Sequence, residues 1–422
     1  MRILLAWELG GGLGHMSILV RVARRLRLRE HDVLFAVKDV GTAHLLLDAE
    51  GFRYVQCPQT QGSAKRKKEP AGFADILAGA GFADSRVLSG LVRSWQNLFG
   101  LFGPDAVVIQ YAPSALVAAR LSGVPCLGLH TGFEAPPENE PFPCFRPWLG
   151  LTREKLLETE RVVLGTINDI RKLHGSAGFS RLWQAMKCDS NLLATFPEFD
   201  HYQGRTGGRY IGSLFMNDDG VDIRWPDGGD FRAFVYVKPD SGTTLILKTL
   251  LERGASVVAF IPGHNGETKH VLRHARLRIS SARIRLSSLL PDMDLSVTHA
   301  NHGTLSALFL AGVPMVTIPT TIEQWMLSVC VKRLGIGMSC MRNKLPTEFP
   351  QAVERLCAET AFQEEAARRA ALYAGYDQGH VLDRLVTTIE RLPEWSRNTR
   401  DATSSEPPAD EDRRTNRKGN GA

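Results

Sequence analysis

A cluster of glycines close to the N-terminus constrains this chain more than any other feature. Residues 2–9 (RILLAWEL) read as a short buried strand, and Gly10, Gly11, Gly12 and Gly14 follow at once. Residues 16–29 then set Ile18, Leu19, Val22, Ala23 and Leu26 at helical spacing, and residues 33–37 read as a second strand. Strand, glycine turn, helix, strand is the order of a βαβ unit, so a parallel sheet covered by helices is expected. Glycines in such a turn let the backbone approach a ligand closely.

The alternation continues along the chain. Residues 60–72 are polar and hold the basic run Lys65, Arg66, Lys67 and Lys68, which reads as a loop. Helical periodicity covers 73–102, a strand is expected at 106–109, a helix at 114–121 and a strand at 125–129. Prolines at 136, 137, 141, 143 and 147 mark 132–148 as a loop, 151–187 reads as mostly helical, and 191–195 and 210–212 are short strand candidates. Residues 217–230 are acidic, glycine-rich and aperiodic, the signature of a linker. A second α/β region follows, with strands at 233–237, 256–261, 295–298 and 315–318 and helices near 243–252, 304–310 and across 346–392. An internal echo joins the two regions. Residues 114–125 (SALVAARLSGVP) and 306–314 (SALFLAGVP) each end a helix at Gly-Val-Pro, either because any α/β domain reuses that stop or because the two regions share an architecture.

Composition excludes several classes. The 422 residues are 43% hydrophobic and 23% charged, ordinary globular proportions that fit neither a coiled coil nor a collagen-like or wholly disordered chain. The net charge of +6 is a mild excess, compatible with an acidic substrate or an anionic membrane surface; nucleic acid is not expected as a partner. The seven cysteines are scattered without a Cys-x-x-Cys, which indicates neither a disulfide framework nor a zinc site and suits a reducing cytoplasm. No uncharged apolar run approaches the roughly 20 residues needed to span a bilayer. The expectation is a cytoplasmic protein, with the basic run at 65–68 open to peripheral contact with the inner face of the membrane.

Three motifs carry chemistry. In Gly10-Gly11-Gly12-Leu13-Gly14-His15 a dinucleotide fingerprint would need a third glycine where His15 stands, although Asp39 could mimic a ribose-binding acid. A neutral imidazole at that helix start suits a general base, or simply caps the helix. His299-Ala300-Asn301-His302-Gly303-Thr304 follows a strand and opens a helix, whose free N–H groups and dipole favour an anion such as a diphosphate; the plain alternative is an N-cap with two surface histidines. Pro319-Thr320-Thr321-Ile322-Glu323-Gln324 sets a carboxylate beside an amide at a strand-to-helix turn, a pairing suited to sugar hydroxyls. Asp292-Met293-Asp294 resembles a metal-binding Asp-x-Asp but precedes its strand, the wrong end for the His299 turn, so no metal is expected.

In order and spacing these motifs resemble the family 1 glycosyltransferases, bacterial relatives of the plant UDP-glycosyltransferases. His299, Thr304, Gly312, Pro314, Pro319, Glu323 and Gln324 fall in register with the family's donor-binding signature. The resemblance spans about residues 1–392. It implies an α/β GT-B fold of two Rossmann-like parallel-sheet domains facing a cleft. The expected layout is an acceptor domain at 1–200, a linker at 201–230, a nucleotide-sugar domain at 231–375, a helix crossing back at 376–395 and a disordered tail at 396–422. It implies an inverting hexosyltransferase that moves a sugar from a UDP- or dTDP-sugar co-substrate to a hydroxyl of a small or lipid-linked acceptor, with no cofactor. His15 would be the catalytic base, His299, Gly303 and Thr304 would hold the diphosphate, Glu323 and Gln324 the donor sugar, and Gly14 and Gln110 would serve the acceptor and orient the base.

Departures from the family are specific. The Asp that orients the family's base is Gln110 here, leaving Asp105, Glu134 or Glu138 as substitutes; the ribose-binding Glu is Ala307, and residues 284–290 hold no base-stacking Trp. Two rivals follow, a nucleotide-sugar epimerase of the same fold and a non-catalytic GT-B-like partner.

Overall fold

A computed structural model of the chain describes residues 1–60, 69–216, 218–264 and 273–401, with side chains to 394. The basic run at 65–68 and the end of the expected tail from 402 lie outside the described residues.

The first glycine turn does what its sequence dictates. Strand β1 (Arg2–Trp7) ends at the glycines, α1 (Leu13–Leu28) follows, and β2 (Asp32–Val37) returns parallel to β1. Then come α2 (Val40–Leu47), β3 (Arg53–Gln56), α3 (Phe73–Leu77), α4 (Ser85–Phe102), β4 (Ala106–Gln110), α5 (Pro113–Ser122), β5 (Cys126–His130), α6 (Arg153–Leu173), α7 (Leu182–Ala185) and β6 (Ser190–Leu193). The second region holds β7 (Phe231–Tyr236), α8 (Thr243–Glu252), β8 (Ala255–Phe260), β9 (Leu277–Ser280), β10 (Leu295–Thr298), α9 (His302–Leu310), β11 (Met315–Thr317), α10 (Ile322–Arg333), β12 (Gly337–Ser339), α11 (Leu345–Ala358), α12 (Ala361–Ala371) and α13 (Gln378–Asp401).

Both six-stranded sheets are parallel and share one topology. The first runs β3-β2-β1-β4-β5-β6, the second β9-β8-β7-β10-β11-β12, so each reverses strand order between its first and fourth strands. The Gly-Val-Pro echo has its explanation there: it ends the helix between the fourth and fifth strands of both sheets. Gly123 (φ 66) and Gly312 (φ 69) are left-handed helix stops, and the Pro125 and Pro314 carbonyls pair with Val107 and Ser296 of the fourth strands. The Ser-Ala-Leu portions are not in register, since Ser114 is the second residue of α5 and Ser306 the fifth of α9.

Alternate residues of β1 feed opposite faces of the first sheet. Leu4 and Ala6 pack under α3–α6, while Ile3, Leu5 and Trp7 pack under α1 and, from the far end of the chain, α13. Leu382, Leu385, Val386, Ile389 and Leu392 form the apolar stripe of α13 at helical spacing. Its polar edge is tied to α1 through Arg25–Asp383 and to the residue that ends α1 through Arg29–Glu390. The last helix therefore completes the first sheet's core, and it runs past the expected end at 395 to Asp401. No helix among the described residues is long and apolar enough to cross a membrane.

Several expected elements divide. The helical stretch at 73–102 breaks at Gly81 (φ 101), and Asp84 then caps α4 by accepting from the Arg86 and Val87 N–H groups. Residues 151–187 split at Gly175 (φ 69) into α6 and α7, and 346–392 becomes three helices. The expected strand at 210–212 is a single pairing of Tyr210 with Leu193. The segment from 201 to 216 is packed rather than loose: His201, Tyr202 and Leu214 are buried, and the Tyr202 hydroxyl donates to Phe133 O at 2.8 Å.

Leu385→Ala empties a site 2% exposed between the two ends of the chain. It is expected to lower the unfolding free energy by about 2–5 kcal/mol in urea denaturation.

Candidate active site

The reversal of strand order leaves a crevice at the C-terminal end of each sheet, where ligands of such folds bind. In the first sheet the crevice is walled by the β1–α1 turn and by the exit of β4. In the second it is walled by the exits of β7 and β10. The chain makes the same backbone manoeuvre at both fourth strands: Tyr111 (φ 50) and Ala300 (φ 62) are left-handed without being glycine, each two residues before a helix begins. Non-glycine residues held there mark positions fixed by their surroundings and cluster at functional sites.

His15 is the third residue of α1, buried against Trp7 (ring centroids 6.0 Å apart) and Tyr111 (5.7 Å). Its Nδ1 meets Gln110 Oε1 at 2.8 Å, and Gln110 Nε2 donates to Glu134 Oε1 at 3.1 Å. The Glu134 carboxylate only accepts, so it fixes which way the Gln110 amide points. Gln110 Oε1 then faces His15, and His15 Nδ1 must carry the proton. Nε2 is left with its lone pair, directed at Gly10, whose carbonyl accepts from Lys38 Nζ. Burial lowers the His15 pKa, only partly countered by the charge of Glu134 and the bond to Gln110, so the ring is a neutral base near pH 7. Gly14, next to it, has open space around it at the exposed helix start.

The second crevice presents an uncapped helix. Asn301 stands at the N-cap of α9 but does not cap it, because its Oδ1 accepts from Gln324 Nε2 at 2.9 Å. Among the described residues the N–H groups of His302, Gly303 and Thr304 have no hydrogen-bond acceptor, and no acidic residue lies in the first turn. This is an anion site in the making. Gln324, expected at the donor sugar, is occupied as a brace: its Oε1 also accepts from the Thr320 N–H (2.8 Å) and hydroxyl (2.9 Å).

His299 departs from expectation in a similar way. Nδ1–H donates to Ile318 O at 2.7 Å and Nε2 accepts from the Lys238 N–H at 2.9 Å, so the ring ties together the chain leaving β7, β10 and β11. The N–H expected to reach an anion is given to Ile318. His299 and His302 are both buried, not the surface pair of the plain N-cap alternative, and the Thr195 hydroxyl pairs with His302 Nε2 at 2.8 Å across the two halves. Gly303 lets Phe215 of the interdomain segment come within contact.

Glu323, at the start of α10, makes no hydrogen bond among the described residues. Desolvation and the charge of Glu134 push its carboxyl up to about 8. That coupling shows that the α10 end of the second half faces the Glu134 wall of the first. His302 likewise lies within electrostatic range of Glu134, His201 and His15, and burial pushes its pKa down to about 3. Trp148 and Trp325 close the two halves edge to face with centroids 4.7 Å apart.

The remaining motifs are structural. Asp39 caps α2 by accepting from the Gly41 N–H at 2.9 Å. Asp292 pairs with Arg232 at 3.0 Å and Asp294 accepts from the Arg232 N–H, at the end of the sheet away from the crevice. Among the described residues no group of three or more His, Cys, Asp or Glu is placed to hold a metal. Sequence reasoning left Glu134 as one of three candidates and passed over His201 and Tyr111; only the unusual backbone at 111 and the burial at 201 mark them.

No family model matches the chain. It is 24% identical over 329 residues to a PGL/p-HBAD biosynthesis glycosyltransferase of Mycobacterium tuberculosis, covering 72% of this chain and 74% of that one. It is also 24% identical over 410 residues to the 4'-demethylrebeccamycin synthase of Lentzea aerocolonigenes, 87% of this chain and 94% of the relative. Among solved structures, the Streptomyces sp. SF2575 glycosyltransferase SsfS6 complexed with thymidine diphosphate superposes with a TM-score of 0.64 at 18% identity, over 92% of this chain and 99% of that one. The fold is GT-B, two Rossmann-like domains facing a cleft. Fold, motif order and relatives together fit a nucleotide-sugar-dependent family 1 glycosyltransferase.

Two expectations follow from the site. An alanine methyl at Gly10 (φ 78) would overlap the His15 ring and lie 3.1 Å from Tyr111, whereas one at Gly11 meets nothing within 4 Å. Gly10→Ala should cost about 1–3 kcal/mol in urea denaturation, and Gly11→Ala within about 0.5 kcal/mol of nothing. Glu323 binds its proton more tightly folded than unfolded, so its ionisation works against folding: stability should fall as pH rises from about 4.5 to about 8. Glu323→Gln should flatten that part of the stability–pH curve.

Proposed function

We propose that this chain is an inverting glycosyltransferase, moving a sugar from a thymidine- or uridine-diphosphate sugar to a hydroxyl of a small or lipid-linked acceptor. The observation that carries the reading is the opposition of a neutral imidazole, its Nε2 without a hydrogen bond among the described residues, to an uncapped helix N-terminus across one cleft.

The acceptor hydroxyl enters on the His15 side. Nε2 takes its proton as the oxygen attacks the anomeric carbon, and the bond from that carbon to the diphosphate breaks on the opposite face, which inverts the configuration. The electrons leave with the diphosphate, where the N–H groups of His302, Gly303 and Thr304 and the Thr304 hydroxyl stabilise the added charge. His299 holds that turn in shape through Ile318 and Lys238, and Gln324 keeps Asn301 from capping the helix. Glu323 faces the donor sugar. Its raised pKa leaves it largely protonated at neutral pH, able to donate as well as accept among the sugar hydroxyls. Neither relative nor the solved structure reported above is named as an epimerase, and a base placed to deprotonate a second substrate suits transfer.

Release of nucleoside diphosphate from dTDP- and UDP-sugars across an acceptor panel tests the reading. His15→Ala should lower turnover about 10²- to 10⁴-fold. Thymidine diphosphate at 100 times its dissociation constant should still stabilise that variant by about 2.7 kcal/mol. Undiminished transfer by the variant would remove His15 as the base.

A further inference from the structure

A base that gains a proton in the transition state becomes a cation inside a desolvated site, and something must stabilise that cation. Gln110, the residue in contact with His15, cannot do so alone, because an amide carries no charge. Two of the acidic residues that could substitute by sequence are committed elsewhere. Asp105 accepts from the Arg2 N–H at 2.7 Å, and Glu138 pairs with Lys187 at 2.7 Å on the surface. Glu134 is different. It is 6% exposed, and among the described residues no lysine or arginine lies within ion-pair distance of it.

A buried carboxylate without a cationic partner is costly to keep. Glu134 nevertheless has a pKa below the ordinary carboxyl value: burial raises it, while the His130 and His15 rings when protonated, and the N–H of Thr131, lower it. With both rings neutral, the Thr131 and Gln110 donors remain to hold its charge. Thr131 grips it from both sides, N–H to Oε1 at 2.7 Å and hydroxyl to Oε2 at 2.8 Å. Those two bonds would suffice to close the turn after β5. The third, from Gln110 Nε2, serves no backbone purpose and points the amide at His15.

We propose that Glu134 is the positioning carboxylate of this site, acting on His15 through Gln110. It locks the imidazole with its proton on Nδ1, and its charge stabilises the imidazolium that forms when Nε2 takes the acceptor proton. No proton passes along the chain: Nδ1 keeps its hydrogen, Gln110 stays a neutral amide and Glu134 stays ionised. The three-membered chain His15–Gln110–Glu134 thus places one amide between base and carboxylate. This inference rests on the reading of His15 as the base.

The groups facing His15 are few: Gln110 and Tyr111 from the exit of β4, Trp7 from β1, Lys38 after β2, Glu134 after β5, and His302 across the cleft on α9. Lys38 opposes the imidazolium and Glu134 favours it, so the sign of each substitution is set.

The test needs no turnover. The full chain is prepared with ¹⁵N-labelled histidine, and the His15 signals are identified by their loss in His15→Asn. Wild type should show Nδ1 protonated and Nε2 bare at neutral pH. Glu134→Gln removes the charge and keeps the shape, and should lower the His15 titration midpoint by about one pH unit, tenfold in the protonation equilibrium. Gln110→Leu leaves Glu134 on Thr131, so it remains informative if Glu134→Gln fails to fold. It should mix the two tautomers of His15. The double variant should lower the midpoint no further than the larger single effect. An unchanged midpoint in folded Glu134→Gln, or an unchanged tautomer in Gln110→Leu, overturns the proposal. Either result stands whether or not the chain transfers sugar, so it is separable from the failure of the function proposed above.

Discussion

Each sheet of this protein reverses its strand order once, between the first and fourth strands, and everything else in the site depends on that reversal. Helices leaving neighbouring strands in opposite directions cannot cover the strand ends between them, so a crevice remains. The first sheet fills one side of its crevice with the glycine turn that presents His15. The second fills its own with the turn that opens α9. Because both sheets have the same order and the chain packs Phe196 and Phe199 of the first half into the core of the second, the two crevices face one another. The last helix reinforces the arrangement by returning to the first sheet.

The two walls solve opposite electrostatic problems. In the proposed reaction the first needs a base that is neutral beforehand, and burial among Trp7 and Tyr111 keeps His15 so. In the proposed reaction the second meets a growing negative charge, with backbone donors that carry no titratable group and need no reorganisation. Side chains that could have satisfied those donors are withheld, Asn301 by Gln324 and His299 by Ile318 and Lys238. Motif residues that look like ligand contacts in one dimension are, in three, the braces that keep backbone groups free. On the first wall Glu134 orients the Gln110 amide toward His15 in the same way.

Periodicity and glycine stops made most of the architecture legible. The buried strands were plain because a parallel sheet covered on both faces leaves near-continuous apolar runs. Three of the four edge strands were not: β3 (RYVQ), β9 (LRIS) and β12 (GMS) are short and partly exposed, so none carries such a run, whereas the edge strand β6 was expected at 191–195. Long helical stretches read as single units because periodicity over a long window does not register an internal break, such as the kink at Gly81 or the break at 174–181 around Gly175. In the site, positions were legible where residue type and spacing sufficed, as with His15 and the α9 turn. What a side chain bonds to was not, because His299, Gln324 and Glu134 take some partners from 19 to 61 residues away in sequence and the rest through turns whose shape only folding fixes.

The central claim is that a nucleoside diphosphate sits on the start of α9 with its leaving bond turned toward His15. A crystal structure of the chain with thymidine diphosphate bound tests it most directly. The account predicts phosphate oxygens within hydrogen-bond distance of the N–H groups of His302, Gly303 and Thr304, with His15 Nε2 open to the space beyond the terminal phosphate. A nucleotide bound elsewhere, or one whose terminal phosphate points away from His15, would contradict it.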